Sequence, residues 1–358
     1  MRKFWTIALF CSQIPLTLQC KSMERKRLLN ILIKILPPVV LGGAILYWMY
    51  RDFDFKAMES VVFNDMNWTW MLLSFPFGIL AQMFRGWRWR QALEPLGEHS
   101  RRLTCILAVF ISYAASLVVP RIGEFTRCGV LSRYDGISFP KALGTVVTER
   151  AIDSLVIILI AIIAFIFQIP VFKTFFTETG MSVEVMLSRF SWEGYLVTAI
   201  CGLAAVIMIH FLFRKLAIYN KVRATFAGIW QGVLSLRHIT NVPLFIVYTL
   251  GIWGSYFLHY YLTFFCFGFT ENLGIMCALV TFVVGSFAVL VPTPNGAGSW
   301  HFAVKTMLIL YGVIDEDALY FVLIVHTIQT MLVLFIGIFA WIMLAFMNKK
   351  VETISDNT

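Results

Sequence analysis

The chain has 358 residues, of which 59% are hydrophobic and 14% charged, with a mean hydropathy of +0.79. A soluble domain carries about 25% charged residues, so the composition excludes a soluble globule and implies an all-α, multi-pass membrane protein. The net charge of +9 does not point to nucleic acid, because the basic residues sit in short loops at the ends of apolar runs, where they act as topology signals.

In chain order, residues 1–22 come first, with a basic start (Arg2, Lys3), an apolar middle and Cys20. This reads either as a signal-like segment or as a mis-assigned start ahead of Met23, which opens a second basic stretch, MERKR. A membrane-crossing helix needs roughly 20 apolar residues. Spans are expected near Asn30 to Tyr50, Trp68 to Gly86, Ser138 to Gln168, Glu193 to Phe213, Pro243 to Phe267 and Leu319 to Met347. Two further apolar blocks, within 103–133 and 273–311, are interrupted. The GWRWRQ run from Gly86 pairs Trp87 and Trp89 with arginines, the composition of an interfacial anchor. His259 reads as a hydrogen-bonded core group, and residues 224–236 as an amphipathic surface helix. Seven cysteines form no CxxC pair and read as small packing residues, so neither metal nor cofactor is expected.

The two interruptions resemble each other. FISYAASLVVP, ending at Pro120 and followed by RIGEFTR, has the same Phe-to-Pro spacing as FVVGSFAVLVP, ending at Pro292 and followed by TPNGAGSW, 172 positions later. Pro120 and Gly123 in the first, and Pro292, Pro294, Gly296 and Gly298 in the second, are the expected breaks. Beyond them YDGISFPKAL matches LYGVIDEDAL at an offset of 176, pairing Gly136 with Gly312. Paired interruptions in corresponding halves point to a transporter substrate site.

Loop charge chooses between crossing and re-entrant hairpins. If each block crossed the membrane fully, the basic loop 214–242, which has no acid, would lie outside; if each dips in and returns, every basic loop is cytoplasmic. Each unit (23–178 and 190–350) then reads as helix, helix, re-entrant hairpin, helix, with three net crossings. The second unit is thereby inverted relative to the first. Both termini, including the tail 351–358, would be cytoplasmic, in a bacterial inner membrane.

Glu149, Arg150 and Asp153 interrupt an apolar run. For a helix entering near Ser138, Arg150 lies on the order of 18 Å along it, where ionisable groups mark a pathway or pair with one another. Arg150 and Asp153 share a face and permit an ion pair, which could also only pin helices. The repeat sets His326 opposite Arg150 and Gln329 opposite Asp153. Arg121, Glu124 and Arg127 follow the first break, and Asn295, Ser299 and His301 the second. These ten residues are the candidate substrate site. Broken backbone at depth lines a cavity or is buried in protein, and arginine binds phosphate bidentately. Arg121 and Arg127 could instead anchor the hairpin, and His301 could be a packing histidine.

The runs RGWRWRQAL, VVPRIGEFTR, GISFPKALGTVVTERAIDSL and VPTPNGAGSWH resemble the lysylphosphatidylglycerol synthase transmembrane-region family, also described as flippase-like proteins. The resemblance implies a polytopic lipid flippase; in larger members this domain moves aminoacylated phospholipid made by a fused synthase. About ten residues follow the last span here, so no such synthase is expected in this chain. The expectation is a non-enzymatic translocase of a phosphate-bearing lipid, phospholipid or polyprenyl-linked, working with or without a separate synthase. The alternatives are an intramembrane lipid-modifying transferase, with Glu124 or Asp153 as general base, and an accessory subunit of a lipid synthase. No nucleotide-binding loop is present, so protons through Glu124, Asp153 or His326, or the lipid gradient, would drive movement.

Overall fold

The computed structural model describes residues 40–51, 53–178, 239, 241–291 and 293–355. The expectations for residues 1–22, for the span at 193–213, for the surface helix at 224–236 and for Pro292 lie outside the described residues, as does most of the basic loop 214–242.

Every regular element described is a helix. Helix α1 is Val40–Tyr50 and α2 is Phe55–Ser60, capped by Asp54, whose side chain accepts from the backbone N–H groups of Lys56 and Ala57. Helix α3 runs over Trp68–Leu93, and α4 and α5 over Arg102–Val118 and Ile122–Asp135. Helix α6 is Phe139–Glu178. In the second half α7 is Val242–Tyr261, continued by a 3-10 turn Leu262–Cys266. Helices α8 and α9 are Gly274–Ala288 and Ser299–Leu310, and α10 is Asp315–Ser355.

Three stretches are long and apolar enough to span a membrane: Phe139–Gln168, Val242–Cys266 and Asp315–Met347. Their outward faces are apolar, with Leu155, Leu159, Phe167, Leu250, Phe335 and Phe346 all exposed. Such surfaces are compatible with hydrocarbon, not water. The acidic trio Asp315, Glu316 and Asp317 forms the first turn of α10, where acids favour the helix dipole.

Element order recurs between the halves. Asn67 caps α3 by accepting from Thr69 N–H at 3.1 Å, and Asn241 caps α7 by accepting from Leu244 N–H at 3.0 Å. Helices α4 and α8 begin at 102 and 274, the offset of 172 read from the sequence, and α6 and α10 at 139 and 315, the offset of 176. Both hairpins also place a left-handed, non-glycine residue at the break. Val119 is extended, as the residue before a proline tends to be, and Arg121 then takes φ 62. In the second hairpin Asn295, 174 positions on, takes φ 52, and these are the only two non-glycine residues with positive φ among those described.

Packing sets the mid-depth gap. Helix α3 lies between α4 and α7, and α10 lies against α4. One apolar core, with Met71, Phe264, Phe267 and Phe321, gathers at the start of α3; a second, with Trp89, Leu93, Cys128 and Leu131, gathers at its end. Gly123 lets α5 fold onto α4, since a Cβ there would sit 2.0 Å from the Ser112 carbonyl oxygen. Gly337 does the same for α10, where a Cβ would meet that of Ala114 at 2.2 Å.

One expectation is corrected. The span read as ending at Gly86 continues as helix until the Glu94–Leu96 turn, because Arg, Gln, Ala and Leu continue α3 with no breaker before Pro95 and Gly97. Trp89 is therefore not an interfacial anchor. It is fully buried, with the Arg127 guanidinium 4.8 Å over its ring.

Candidate functional site

Helix α3 turns Arg85 and Arg88 toward the Glu149–Asp153 face of α6. Pairs three and four apart share a helix face, so the two arginines meet the two carboxylates as a block. Arg85 Nη1 donates to Glu149 Oε1 and Asp153 Oδ2, both at 2.6 Å. Arg88 Nη2 donates to Asp153 Oδ1 at 2.6 Å and Glu149 Oε1 at 3.2 Å, and its Nη1 reaches Thr249 Oγ1 of α7 at 3.3 Å. Arg127 of α5 donates from Nη1 to Glu149 Oε2 at 3.0 Å. Every oxygen of both carboxylates thus accepts from an arginine. All five side chains are buried, with Arg88 and Arg127 each 1% exposed. Burying such charges is tolerated only when they are paired, and removing one member typically costs about 3–5 kcal/mol.

Arg150 stands beside this block. Its Nε lies 2.8 Å from Glu124 Oε1 of α5, but without hydrogen-bond alignment, so that Nε has no hydrogen-bond partner. The expected Arg150–Asp153 pair is a long contact of 3.9 Å, because the α3 arginines already occupy Asp153. Glu124 is therefore the nearer acid.

A cavity of about 420 Å³ opens between the halves, within the usual ligand-site range of about 300–1,000 Å³. The first half contributes Gln82, Arg85, Tyr113, Arg150 and Asp153 to its lining. The second contributes Trp253, Tyr256, Asn295, Trp300, His326 and Gln329. Tyr256 OH donates to Tyr113 OH across the two halves at 2.8 Å. His259 also lines the cavity while its Nδ1 bonds the Ser74 carbonyl at 2.8 Å.

Of the ten candidates read from sequence, Arg150, Asp153, Asn295, His326 and Gln329 line this cavity. Asn295 Nδ2 donates to Thr330 Oγ1 at 2.7 Å, and His326 Nε2 lies 3.1 Å from the Asn295 carbonyl, which places the ring proton on Nε2. The other five are not among its lining residues. Arg127 belongs to the buried block, and Glu124 faces Arg150. Ser299 bonds Thr293 Oγ1 and the Gly296 carbonyl. His301 packs behind His326, ring centroids 4.4 Å apart, and accepts from Gly298 N–H at 3.3 Å. Arg121 Nη2 donates to the Leu290 carbonyl at 3.3 Å and so joins the two hairpin tips.

Arg85 and Arg88 were missed as site residues because they were counted as loop charges. A signal existed: two acids four apart in a long apolar helix require buried cations, and Arg85 and Arg88, three apart, present them at matching spacing. Trp253 and Tyr256 carried no such signal.

Together these features define an all-helical, multi-pass membrane protein with a charged cavity between two similarly ordered halves. The chain belongs to the family described as Lysylphosphatidylglycerol synthase TM region, which it matches over residues 35–337. Membership assigns it a membrane location and a membrane lipid-related function. No curated protein and no solved structure matches the chain.

Proposed function

We propose that the protein is a lipid translocase that passes the polar head group of a phosphate-bearing lipid through the cavity while the acyl chains stay in the bilayer. The observation that carries this reading is the cavity itself, lined by Arg85, Arg150 and Asp153 from one half and by Asn295, His326 and Gln329 from the other. A site shared by two repeat units is what alternating access requires, because either unit can then close it. The substrate would be a membrane phospholipid or a polyprenyl-linked lipid, supplied with or without a separate synthase.

In this reading the two units are inverted, with six full spans and two re-entrant hairpins. Hairpin length supports it: α4, α5, α8 and α9 have 17, 14, 15 and 12 residues. At about 1.5 Å per residue each is shorter than a hydrocarbon core of about 30 Å. Cytoplasmic termini in a bacterial inner membrane complete the proposal.

The engagement of the acids favours transport over transferase chemistry. A general base needs a free carboxylate at the substrate, whereas both oxygens of Asp153 accept from Arg85 and Arg88, and Glu124 is not among the residues that line the cavity. The test is reconstitution in vesicles with head-group-labelled phospholipid. Arg150→Ala is expected to abolish movement between leaflets while the protein elutes and melts as a folded species. Wild-type movement by that variant rejects the pathway, and a changed lipid product in place of changed leaflet distribution rejects translocation.

A further inference from the structure

The cavity has a mouth on the flank of the molecule. Three residues that line it, Ser154 on α6 and Val289 and Leu290 just past the end of α8, are also exposed on the outer surface, Val289 by 51% and Leu290 by 61%. Its two ends are filled instead. Toward the start of α3 the rings of Tyr260, Phe282 and Trp300 pack together, and toward the end of α3 the Tyr113–Tyr256 bond and the arginine–carboxylate block occupy the space.

The ground around the mouth is apolar. Val118, Ile122 and Phe125 at the first hairpin tip and Phe287 and Val291 at the second are all exposed, a surface suited to hydrocarbon rather than water. Helix α5 has 14 residues, so its tip lies about 20 Å from its Asp135 end, inside a hydrocarbon core of about 30 Å. A polar row crosses this ground. Arg121 is exposed, the Glu124 and Arg150 side chains are 31% and 43% exposed, and Arg150 reaches the cavity lining. Ionisable groups open to hydrocarbon are costly, and a row of them that leads into a cavity marks a route.

The row begins at a bridge. Arg121 Nη2 donates to the Leu290 carbonyl at 3.3 Å and ties the first hairpin to the residue that forms one lip of the mouth. That carbonyl lies just past α8, where helix carbonyls lack intrahelical donors and the dipole favours a cation. A single exposed bond of this kind is weak enough to break and re-form.

We infer that the mouth is a lateral portal to the bilayer, that the acyl chains of the lipid whose head group enters the cavity lie against the two hairpin tips, and that the Arg121–Leu290 bond is the latch of the portal. The inference rests on the translocase reading for the identity of the occupant. With the latch closed the tips are joined; with it open, Leu290 can swing away from Ser154 and widen the mouth. Arg121 is thus a positioning residue that sets the width of the entrance and leaves head-group contacts to the cavity.

The first test reads the surroundings of the mouth without any transport. Full-length protein carrying a nitroxide on Ser154→Cys or Val289→Cys, in phosphatidylcholine nanodiscs, is compared with the unaltered protein, whose own cysteines set the background. Both labels are expected to be relaxed more by oxygen than by a water-soluble nickel chelate; the opposite order identifies a water-facing opening and overturns the portal. The latch is read from the distance between nitroxides on Phe125→Cys and Phe287→Cys. Adding Arg121→Ala should raise the population of separated tips about two- to tenfold, the loss of one hydrogen bond, and an unchanged distribution overturns the latch.

Blocking the mouth supplies the functional arm. Val289→Trp, at an exposed position, should slow lipid movement in vesicles about tenfold with an unchanged melting temperature, and Ser154→Trp repeats the block from the opposite lip. If the unaltered protein moves lipid and both blocked variants move it as fast, the portal fails and the translocase reading stands. If the labels sit in hydrocarbon and the latch opens as expected but the unaltered protein moves no lipid, the translocase reading fails and the portal stands as the entrance of a lipid-binding cleft.

Discussion

The two walls of the cavity solve the same problem with different chemistry. Equivalent positions carry Arg150 and Asp153 in the first half and His326 and Gln329 in the second, each pair at the repeat offset of 176. On α3 and α7 the correspondence set by the capping residues Asn67 and Asn241 matches Arg85 to His259. The first half is ionic and buried, with every oxygen of Glu149 and Asp153 held by an arginine while Arg85 Nε, Arg88 Nε and Arg127 Nε stay without a hydrogen-bond partner. The second is neutral and aromatic, held by Asn295, Thr330 and His326, and it leaves Trp253 and Gln329 with free donors. Two halves with helix starts at matching offsets thus carry a charge anchor on one side of the cavity and a neutral, adaptable wall on the other.

That contrast predicts unequal tolerance to substitution, and Glu149 is where it is sharpest. Glu149→Gln leaves Arg85 and Arg88 on Asp153 alone and Arg127 buried with no carboxylate partner. The expected loss is about 3–5 kcal/mol, seen as low yield or a large drop in melting temperature in detergent. His326→Gln in the other wall removes no charge pair and should cost about 1 kcal/mol. Similar losses for the two variants would break the comparison.

The next effect is steric and separates the halves by how they are joined. Gly337→Val forces α10 off α4, because even a Cβ would reach Ala114 at 2.2 Å. Overpacking of this kind costs about 1–3 kcal/mol. Since α10 carries His326 and Gln329 and α4 carries Tyr113, the variant should also widen the cavity. A thermal-shift measurement alongside the vesicle assay of lipid movement reads both, and a stability loss with unchanged movement would show that the walls move independently.

Much of the frame was legible in the sequence because it is written locally. The proline breaks, the glycines at 136 and 312 and the repeat offset are short-range patterns, and the helices begin where those patterns put them. Arg150, Asp153, His326 and Gln329 were legible for a similar reason, as polar residues in otherwise apolar runs. The buried block was harder. Arg85 lies 64 and 68 positions from its acids, and no periodicity within α3 distinguishes an arginine facing a carboxylate from one facing solvent. Donors such as Trp253 N–H were illegible altogether, since an indole in an apolar helix reads as packing until its neighbours are known.

The smallest effects are expected at the hairpin tips, where Arg121 and Asn295 both hold positive φ. A left-handed residue with a side chain pays about 1–2 kcal/mol, and asparagine pays less because its side chain bonds locally. Arg121→Gly relieves that strain but adds chain entropy of about 0.5–1 kcal/mol and loses one exposed bond to Leu290. These terms offset, so its stability should stay within about 1 kcal/mol of wild type. Asn295→Gly gains less relief and loses the 2.7 Å bond to Thr330, so it should be the less stable of the two by about 1 kcal/mol. Melting temperatures of the two variants, measured side by side, decide the order. The reverse order would mean that the first hairpin depends on its contact with the second more than the second depends on its own wall.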